Sequence, residues 1–420
     1  MSVAFDSNVN LTVEIGFDSN PFDEPQSYTD VSNYVRSITS KRGRNNEMQS
    51  FNAGTFSVVL DNSDNRFNPS QTIYYYDSVN ARTKIQPLKR IRLSAEYNST
   101  TYYLFEGFLT DIPVKFPNQG ADSTVSFRAT DLFQILNSSN LDDVGWKLGR
   151  GGFSELGLST RFNYEDEQEL SSERVTRLLN TIGWPNSKRN IDIGTLNVIS
   201  QSSASNVLTA IKECETAENA QFFIGKNGNT IFRNRDYKLS NTNAINVQGT
   251  FSNDGTNLPY TDVKTSFDDN EIINVYDWIR KDGIRQFVSD SNSVLRYRPI
   301  ASNVTTINVS DADVLSIIEQ KIAETALPIL RIDGLVVTPR ENVNLWPQVL
   351  GREIGDRVSV KIVHPNETSF TDELWIESVS HSINASTQSW SWNVTLSPAG
   401  SSAWILGQAK LGEGTRLVYT

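Results

Sequence analysis

Hydrophobic and polar residues alternate with a period of two in two separated parts of the chain, residues 84–131 and residues 355–398. This period is typical of half-buried β-strands. Turn-forming residues separate the alternating runs within each part. The pattern predicts six strands: Arg90 to Tyr97, Tyr102 to Asp111, Ser123 to Thr130, Arg357 to Val363, Glu373 to Ser382 and Ser389 to Leu396. Each part is therefore predicted to be a three-stranded antiparallel meander, and the shared layout indicates two similar β units.

Apolar residues at helical spacing appear between and beside these units. They predict three helices: from Ser171 or Ser172 to Gly183, from about Ala204 to Glu218, and from Asp311, as N-cap, to Pro328. Asn227-Gly228 is a strong hairpin signal within residues 221–235. Further strands are predicted at Asn8 to Gly16, Thr55 to Leu60, Ile272 to Ile279, Arg285 to Val288 and Leu330 to Pro339. The fold class is thus predicted to be mainly β with α+β insertions.

The length of 420 residues exceeds what one core usually holds. We predict a first β-barrel domain at 1–140, an α+β insert domain at 141–250 and a small β-rich insert domain at 251–310. A second β-barrel domain is predicted at 311–420, of which residues 400–420 form a C-terminal arm. The two barrels would then bracket a smaller middle region.

Composition narrows the class of protein. The formal net charge is −11, and the acidic excess is concentrated in residues 251–420. An acidic chain is a poor general binder of nucleic acid, although an acidic surface lets DNA slide past. No apolar run approaches the roughly 18 residues that span a bilayer, so no membrane anchor is expected. Cys214 is the one cysteine, and its place on the apolar face of a predicted helix indicates a core residue.

Candidate catalytic and metal-binding residues are few. The two histidines, His364 and His381, have no cysteine nearby and favour surface or packing roles. Asp61, Ser63 and Asn65 resemble a calcium loop, but Arg66 stands where that loop needs glycine, which favours an Asx turn. Two acidic runs could suggest a glycosidase: Glu165, Asp166, Glu167 and Glu169, and Asp268, Asp269 and Glu271. Because both runs are polar and loop-like, we predict solvated charge, no enzyme, no metal and no cofactor.

Two groups of residues are candidates for contacts. The basic group Arg36, Lys41, Arg42 and Arg44 can bind an anion or form a salt-bridged loop at an interface between subunits. The aromatic group Trp375, Trp390 and Trp392 can face a glycan or belong to a barrel core. The sequence leaves both alternatives open.

Six blocks of the chain form a recognisable series: Val35 to Arg44, Ala53 to Pro69, Leu104 to Asp131, Arg174 to Pro185, Ile231 to Arg235 and Glu353 to Val360. Taken in this order, they resemble those of phage tail-tip proteins, specifically the baseplate hub, or tail-associated, family. The resemblance implies a homotrimer in which each subunit gives two tail-tube-like β barrels to a six-barrel ring. Such a ring joins a sixfold tail tube to a threefold spike or fibre complex.

The resemblance also implies a place and a set of partners. We expect a structural protein of the virion tail tip, assembled in the host cytoplasm, with DNA passing through its lumen without specific binding. Its expected partners are the distal tail or tail tube protein, the tape measure protein and the spike or tail fibre proteins. The alternatives are a distal tail protein ring of single barrels and a carbohydrate-binding tail adhesin.

Overall fold

β-Strands form most of the secondary structure, which confirms the predicted mainly β fold with α+β insertions. The computed structural model describes residues 3–6, 9–141, 168–199, 204–267, 269, 271–366 and 368–399. The first half contains β1 (Val3–Asp6), β2 (Val9–Ile15), β3 (Thr29–Asp30), β4 (Val35–Gly43), β5 (Asn52–Asp61), β6 (Tyr76–Asp77), β7 (Arg82–Thr83), β8 (Arg90–Tyr97), β9 (Thr100–Asp111), β10 (Val114–Lys115), β11 (Thr124–Thr130), α1 (Phe133–Ser138), β12 (Glu169–Leu170), α2 (Ser171–Thr181), β13 (Arg189–Ile191), β14 (Asn197–Val198) and α3 (Val207–Glu218). The second half contains β15 (Gln221–Ile224), β16 (Thr230–Arg233), α4 (Tyr237–Ser240), α5 (Thr242–Ile245), β17 (Val247–Ser252), β18 (Asp262–Ser266), β19 (Val275–Arg280), β20 (Gln286–Ser289), α6 (Ser291–Tyr297), β21 (Ala301–Thr306), α7 (Asp311–Thr325), β22 (Arg331–Val337), α8 (Trp346–Gly351), β23 (Arg357–Val363), β24 (Ser369–Asn384) and β25 (Ser389–Pro398).

Twelve of these strands form two six-stranded units. The first barrel has the strand order β2-β8-β9-β11-β5-β4, and the second has the order β17-β23-β24-β25-β22-β18. In the first barrel, the rings of Phe17 and Phe127 are 6.4 Å apart although three strand pairings separate β2 from β11. In the second barrel, Phe251 of β17 and Trp392 of β25 are 6.2 Å apart across the same number of pairings. Each unit therefore curves around an apolar interior.

The two barrels repeat each other in their meanders, as the shared layout predicted, but β2 pairs with β8 in antiparallel and β17 with β23 in parallel. Strand β9 carries one extra residue, Thr110, between Leu109 and Asp111, and β24 carries Glu377 between Ile376 and Ser378. Just before each bulge, Leu109 and Ile376 make the same pair of backbone hydrogen bonds to the residues that precede β8 and β23. We therefore take Leu109 and Ile376 as equivalent positions.

An arginine–glutamate pair found at the same place in both barrels supports this equivalence. Arg90 opens β8 and pairs with Glu106 of β9 at 3.2 Å, while Arg357 opens β23 and pairs with Glu373 of β24. Both pairs occupy the same places in the two meanders. Arg90 is only 1% exposed, so the sequence pattern, which placed it opposite the buried face of β8, underestimated its burial.

The barrels are joined edge to edge within one chain. Ser37 to Gly43 of β4 pair in antiparallel register with Ser378 to Asn384 of β24. Strand β24 is long enough to serve both barrels. Its first half pairs with β23 and its second half pairs with β4. A single sheet therefore runs from one barrel into the other.

The first insert, residues 168–246, packs α2 and α3 beside the hairpin β15-β16, and its core continues into that of the barrels. Phe222 of β15 stacks on Phe133, which follows the first barrel, at 5.5 Å. The helices lie where the sequence predicted them, but two caps differ. Leu170, and not a serine, precedes α2 and donates its N–H to Glu173 at 3.0 Å. Ser310, and not Asp311, caps α7 by accepting the Ala312 N–H at 3.1 Å.

The second insert, residues 271–326, has a core of its own. The sheet β20-β19-β21 packs on α7 through Tyr276, Trp278, Val314, Ile317 and Ile318. Helix α7, predicted to open the second barrel domain, thus lies with this insert. Strands β17 and β18 fall within or beside the predicted middle domains, yet they pair with β23 and β22 of the second barrel. In the described residues, no helix is both long and apolar enough to cross a bilayer.

Candidate functional site: the ionic junction between the barrels

A group of buried charged side chains lies where the first barrel, the second barrel and the first insert meet. We call this group, Arg42, Arg44, Lys226, Glu353 and Glu377, the junction. Arg42 lies at the end of β4 and Arg44 directly follows this strand. Lys226 comes from the turn of the β15-β16 hairpin, Glu353 from the segment before β23, and Glu377 from the bulge of β24. The junction thus links all three parts of the chain.

Arg42 connects the first barrel to both of the other parts. Its Nη1 pairs with Glu353 Oε1 at 3.0 Å and donates to the Ile224 carbonyl at 3.3 Å. The Arg42 side chain is only 4% exposed. The Glu353 carboxylate also accepts the backbone N–H of Lys226 at 3.1 Å and that of Ile354 at 2.8 Å, so each carboxylate oxygen has a partner.

Arg44 makes the second connection between the barrels. Its Nε donates to Glu377 Oε2 at 2.6 Å, and its guanidinium lies over the Phe51 ring at 4.6 Å. Glu377 is 1% exposed and also accepts the Ser397 hydroxyl at 2.6 Å. Lys238 of the first insert approaches the same carboxylate at 3.6 Å. Glu377 is the extra residue in the bulge of β24, and the bulge turns its side chain towards the end of β4.

The protonation states of the two glutamates follow from these contacts. Burial by itself raises the pKa of Glu353, but Arg42 and Lys226 outweigh it and bring the pKa down to about 2. Burial likewise raises the pKa of Glu377, and Arg44 and Lys238 bring it down to about 2. Both carboxylates are therefore charged at neutral pH and fully partnered, which suits a structural contact and does not suit acid–base chemistry.

Gly43, between the two arginines, has a backbone that other residues rarely adopt, with φ of +110°. A Cβ there would lie 2.2 Å from the Glu377 carbonyl oxygen. We expect Gly43→Ala to lower the free energy of unfolding by about 1–3 kcal/mol for backbone strain and about 1–3 kcal/mol for the clash. Gly120→Ala is the control, because Gly120 has φ of +95° with nothing within 4 Å. Urea unfolding of both variants measures the difference, and equal losses would contradict this role of Gly43.

His381 lies on β24 opposite Ser40 of β4 and is 3% exposed. Its Nδ1 accepts the Trp390 indole N–H at 3.2 Å. Burial, together with Arg42 and Lys226, lowers the pKa of His381 from 6.5 to about 3. The imidazole is thus a neutral packing residue, as the sequence favoured, while His364 is exposed.

This pKa gives a pH-dependent prediction. Below pH 6.5 the unfolded chain takes up a proton at His381 that the folded chain takes up only near pH 3, so the folded state loses stability as the pH falls. The His381→Gln variant escapes this loss. Relative to the parent, its free energy of unfolding should improve by about 2–3 kcal/mol between pH 6.5 and pH 4.5.

The readout is the difference between variant and parent, measured by urea unfolding at several pH values. Taking the difference cancels the contributions of groups that both chains share, such as Asp131. Burial raises the pKa of Asp131 to about 7, so this group makes the folded state more stable as the pH falls, opposite to His381. His364→Gln is the matched control. A difference that stays constant with pH would show that His381 is not held neutral.

A second ionic cluster fixes the first insert to the first barrel. Lys188 of the insert pairs with Glu106 of β9 at 2.9 Å, and Arg90 pairs with the same carboxylate at 3.2 Å and with Glu24 at 2.5 Å. Trp184 of the insert lies over the Arg90 guanidinium at 5.3 Å. The insert is therefore held to the first barrel independently of the junction.

The structure divides the predicted basic group. Arg36 is partly exposed and bridges Asp61 and Asp122 at 2.6 and 2.7 Å, while Lys41 is exposed and donates to Asn45 at 3.0 Å. For these two, a role between subunits stays a prediction. The side chains of Arg42 and Arg44 are buried between parts of one chain, where they pair with Glu353 and Glu377.

The predicted aromatic group belongs mainly to the core. Trp390 and Trp392 are 1% and 0% exposed, which favours the core alternative over a glycan surface. Trp375 is partly exposed, and its indole N–H donates to the Ala244 carbonyl at 2.9 Å with Lys238 at 4.0 Å from the ring. The exposed tryptophans that an adhesin would need in the second barrel are therefore not found at Trp390 and Trp392.

The acidic candidates within the described residues do not form a catalytic pair. Glu169 pairs with Arg174 at 2.5 Å, and Glu271 pairs with Arg331 at 2.7 Å, so these two are ion-paired and not simply solvated as predicted. Asp269 is exposed. Glu165, Asp166, Glu167 and Asp268 lie outside the described residues, as does the predicted arm, residues 400–420. Cys214 is buried, as predicted, and burial raises its pKa to about 12.

The residues that resembled a calcium loop form a turn. Asp61 accepts the Ser63 N–H at 2.9 Å, which is the predicted Asx turn. Among the described residues, no three histidine, cysteine, aspartate or glutamate side chains cluster closely enough to hold a metal ion.

Sequence analysis missed the acidic half of the junction. Glu377 interrupts an otherwise apolar or small-residue run, between Ile376 and Ser378, whereas Glu353 lies beside Arg352 in a charged segment. A charged residue within a predicted buried strand signals a buried partner of opposite charge. The basic residues of β4 were the available partners, but nothing in the sequence linked the two segments.

No protein-family model matches this chain, and no curated protein matches its sequence. Among solved structures, the tail protein from Neisseria meningitidis MC58 matches with a TM-score of 0.57 at 10% identity, over 93% of this chain and 96% of that one. The 43 kDa tail protein of prophage MuSo2 from Shewanella oneidensis matches with a TM-score of 0.51 at 10% identity, over 93% and 96% of the two chains. The chain has the fold of these tail proteins.

A third structure, prophage tail protein gp18 from Listeria monocytogenes EGD-e, has a TM-score of 0.46 at 11% identity, over 93% of this chain and 94% of that one. The first two likenesses confirm, at the level of the fold, the resemblance to phage tail proteins that the sequence blocks indicated. They cover the barrels and the inserts together, since nearly the whole of both chains is matched.

Proposed function

We propose that this protein is a structural component of a phage tail tip, a hub that joins the tail tube to a spike or fibre complex. The single observation that carries the proposal is the presence of two equivalent barrels joined edge to edge in one chain. A chain with two equivalent barrels can present six similar surfaces with only three copies. That is what a connector between a sixfold and a threefold assembly needs.

The junction supports this role because it fixes the angle between the two barrels. A connector must hold its barrels at a constant rotation, and partnered buried charges at Arg42, Arg44, Glu353 and Glu377 resist sliding of one barrel on the other. The proposed partners above are a tail tube or distal tail protein and the tape measure protein, and those below are spike or fibre proteins. DNA would pass through the lumen without specific binding, as the net charge of −11 favours. The protein would act in the virion after assembly in the host cytoplasm, and it would not be an enzyme.

The strand pairing also suggests how to divide the chain. We keep the first barrel domain at 1–140 and propose that residues 247–266 complete the second barrel with residues 331–399. Residues 271–326, including α7, would form the small insert domain. Residues 168–246 would form the larger insert domain.

The proposal is tested by the mass and symmetry of the purified protein, from native mass spectrometry and electron-microscope class averages. We expect three copies that form a ring of six similar lobes around a channel. A ring of six copies would overturn the hub in favour of a distal tail protein, and a particle without a channel would overturn both.

A further inference from the structure

We propose that the free edge of β18 in one copy pairs with the free edge of residues 112–116 in a second copy, and so repeats between copies the contact that β4 and β24 make within one. This inference rests on the proposed hub and names the strands that would close it. It follows from the equivalence of the two barrels and from the edges that the described chain leaves uncovered.

The strands of the in-chain contact have counterparts that each keep one edge without a partner among the described strands. Strand β4 is the edge of the first barrel and pairs with β24, while β18, the corresponding edge of the second barrel, pairs with β22 alone among the described strands. Strand β10 continues β9 beyond its bulge, as the second half of β24 continues past its own. It pairs with β11 alone in the described part of the chain.

Exposure marks the same two edges. With Leu109 equivalent to Ile376, Phe116 is equivalent to Ile383. Ile383 is 2% exposed because β4 covers it, whereas Phe116 is 55% exposed. Phe267, just after β18, is 68% exposed. An apolar side chain of the first barrel is therefore exposed at a place where the in-chain contact buries its equivalent in the second barrel.

The backbone of residues 112–116 faces the right way. The Pro113 carbonyl accepts the Ser126 N–H of β11, so the polar groups of Ile112 and Val114 turn to the opposite, free edge. The equivalents of Ile112 and Val114 are Val379 and His381. The Ala385 N–H donates to the Arg36 carbonyl, and because backbone groups alternate along a strand, those of Val379 and His381 also point to β4. Proline at position 113 does not interrupt the pairing, because its missing N–H lies on the β11 side.

Strand β18 presents a matching edge. The Val263 N–H donates to the Asp262 carboxylate at 2.9 Å, a bond within β18 itself. Val263 lies opposite Leu335 of β22, and Ile38 lies opposite Val58 of β5, which is the equivalent place in the first barrel. Val263 is thus the counterpart of Ile38, whose strand partner in β24 is Ile383.

These equivalences fix the register between copies. Val263 comes opposite Phe116, Thr265 opposite Val114, and Lys264 opposite Lys115 of the second copy. The two lysines are exposed, and like charges directly opposite each other weaken each single contact. Because the contact is head to tail, repeating it gives a ring when the rotation closes.

Cysteine trapping tests the register directly. Residues in a non-hydrogen-bonded antiparallel pair have Cα atoms about 4.5 Å apart, within the range of a disulfide. One protein carries Lys115→Cys, and a second, of larger mass through a tag, carries Lys264→Cys. The two are mixed under mild oxidation and resolved on a non-reducing gel. The native Cys214 is buried and does not interfere.

We expect a linked dimer of one tagged and one untagged chain from this mixture. The matched control replaces Lys115→Cys by Asp111→Cys, an exposed position four residues along the strand and so about 13 Å away. It should give at least tenfold less linked dimer. Absence of the dimer above the level of this control overturns the proposed pairing, whatever the state of assembly.

A chain with both substitutions separates the pairing from the hub. We expect linked chains up to three copies. A three-copy assembly by native mass spectrometry that gives no linked dimer would overturn the strand pairing and leave the hub standing. Linked chains that close at a number other than three would support the pairing and overturn the trimeric hub.

A change of charge gives a second test. Lys264→Glu converts the opposed lysines into an opposite-charge pair and should raise the assembled fraction at a given protein concentration, by about threefold for a gain of about 0.6 kcal/mol. Lys281→Glu, the same change on the turn after β19, is the control and should not. An unchanged or smaller assembled fraction for Lys264→Glu would count against the register.

Discussion

Replacing Glu377 by glutamine is expected to lower the free energy of unfolding by about 3–5 kcal/mol. The substitution keeps the size of the side chain but removes the charge that Arg44 and Lys238 share in the core of the junction. Arg44 then stays buried without a partner of opposite charge, and the 1% exposure of position 377 gives water no access to it. Urea unfolding followed by tryptophan fluorescence measures the change.

Asp111→Asn is the matched control for Glu377→Gln. Asp111 pairs with Arg128 at 3.0 Å, but both side chains are 56% exposed, so the loss should stay below about 1 kcal/mol. A double-mutant cycle with Arg44→Met then isolates the coupling between Arg44 and Glu377. Similar losses for Glu377→Gln and Asp111→Asn would show that the junction does not hold the barrels together.

Replacing Trp392 by alanine is expected to cost about 3–5 kcal/mol. Trp392 lies at 0% exposure in the second barrel, next to Phe251 of β17, which pairs in parallel with β23. Removing the indole leaves a cavity between these strands, which the rigid sheet cannot fill by moving. The loss should appear as a lower urea midpoint.

Phe287→Ala is the control for Trp392→Ala, because Phe287 is an aromatic residue of β20 with 54% exposure. Its loss should remain within about 0.5 kcal/mol. If Trp392→Ala left stability unchanged and instead weakened glycan binding, Trp392 would be a surface residue and the adhesin alternative would return.

Both predictions concern the second barrel, where β24 serves three partners. It pairs with β23, β25 and β4, and its bulge places Glu377 in the junction. Backbone pairing along this strand and the buried charge at its bulge hold the two barrels together. The same strand therefore connects local packing to the proposed sixfold arrangement.

The sequence by itself determined the six meander strands, the three longer helices and the similarity of the two β units. Alternation along β8 or β25 is a local property, because neighbouring side chains of a strand point to opposite faces. Helix α3 and the Asn227-Gly228 hairpin are local for the same reason: their signals lie within a few residues. The resemblance of the blocks to tail proteins also needed only the order of these elements.

Only the tertiary structure decided which strands meet and which charges are buried. Arg44 and Glu377 are 333 positions apart, and no local pattern links a basic edge strand to a bulge so distant. The place of α7 against β19 and β20, the parallel pairing of β17 with β23 and the burial of Trp390 and Trp392 depend in the same way on contacts between distant segments. Local patterns report which face of an element is apolar, whereas the partner that covers this face is set by the whole chain closing its core.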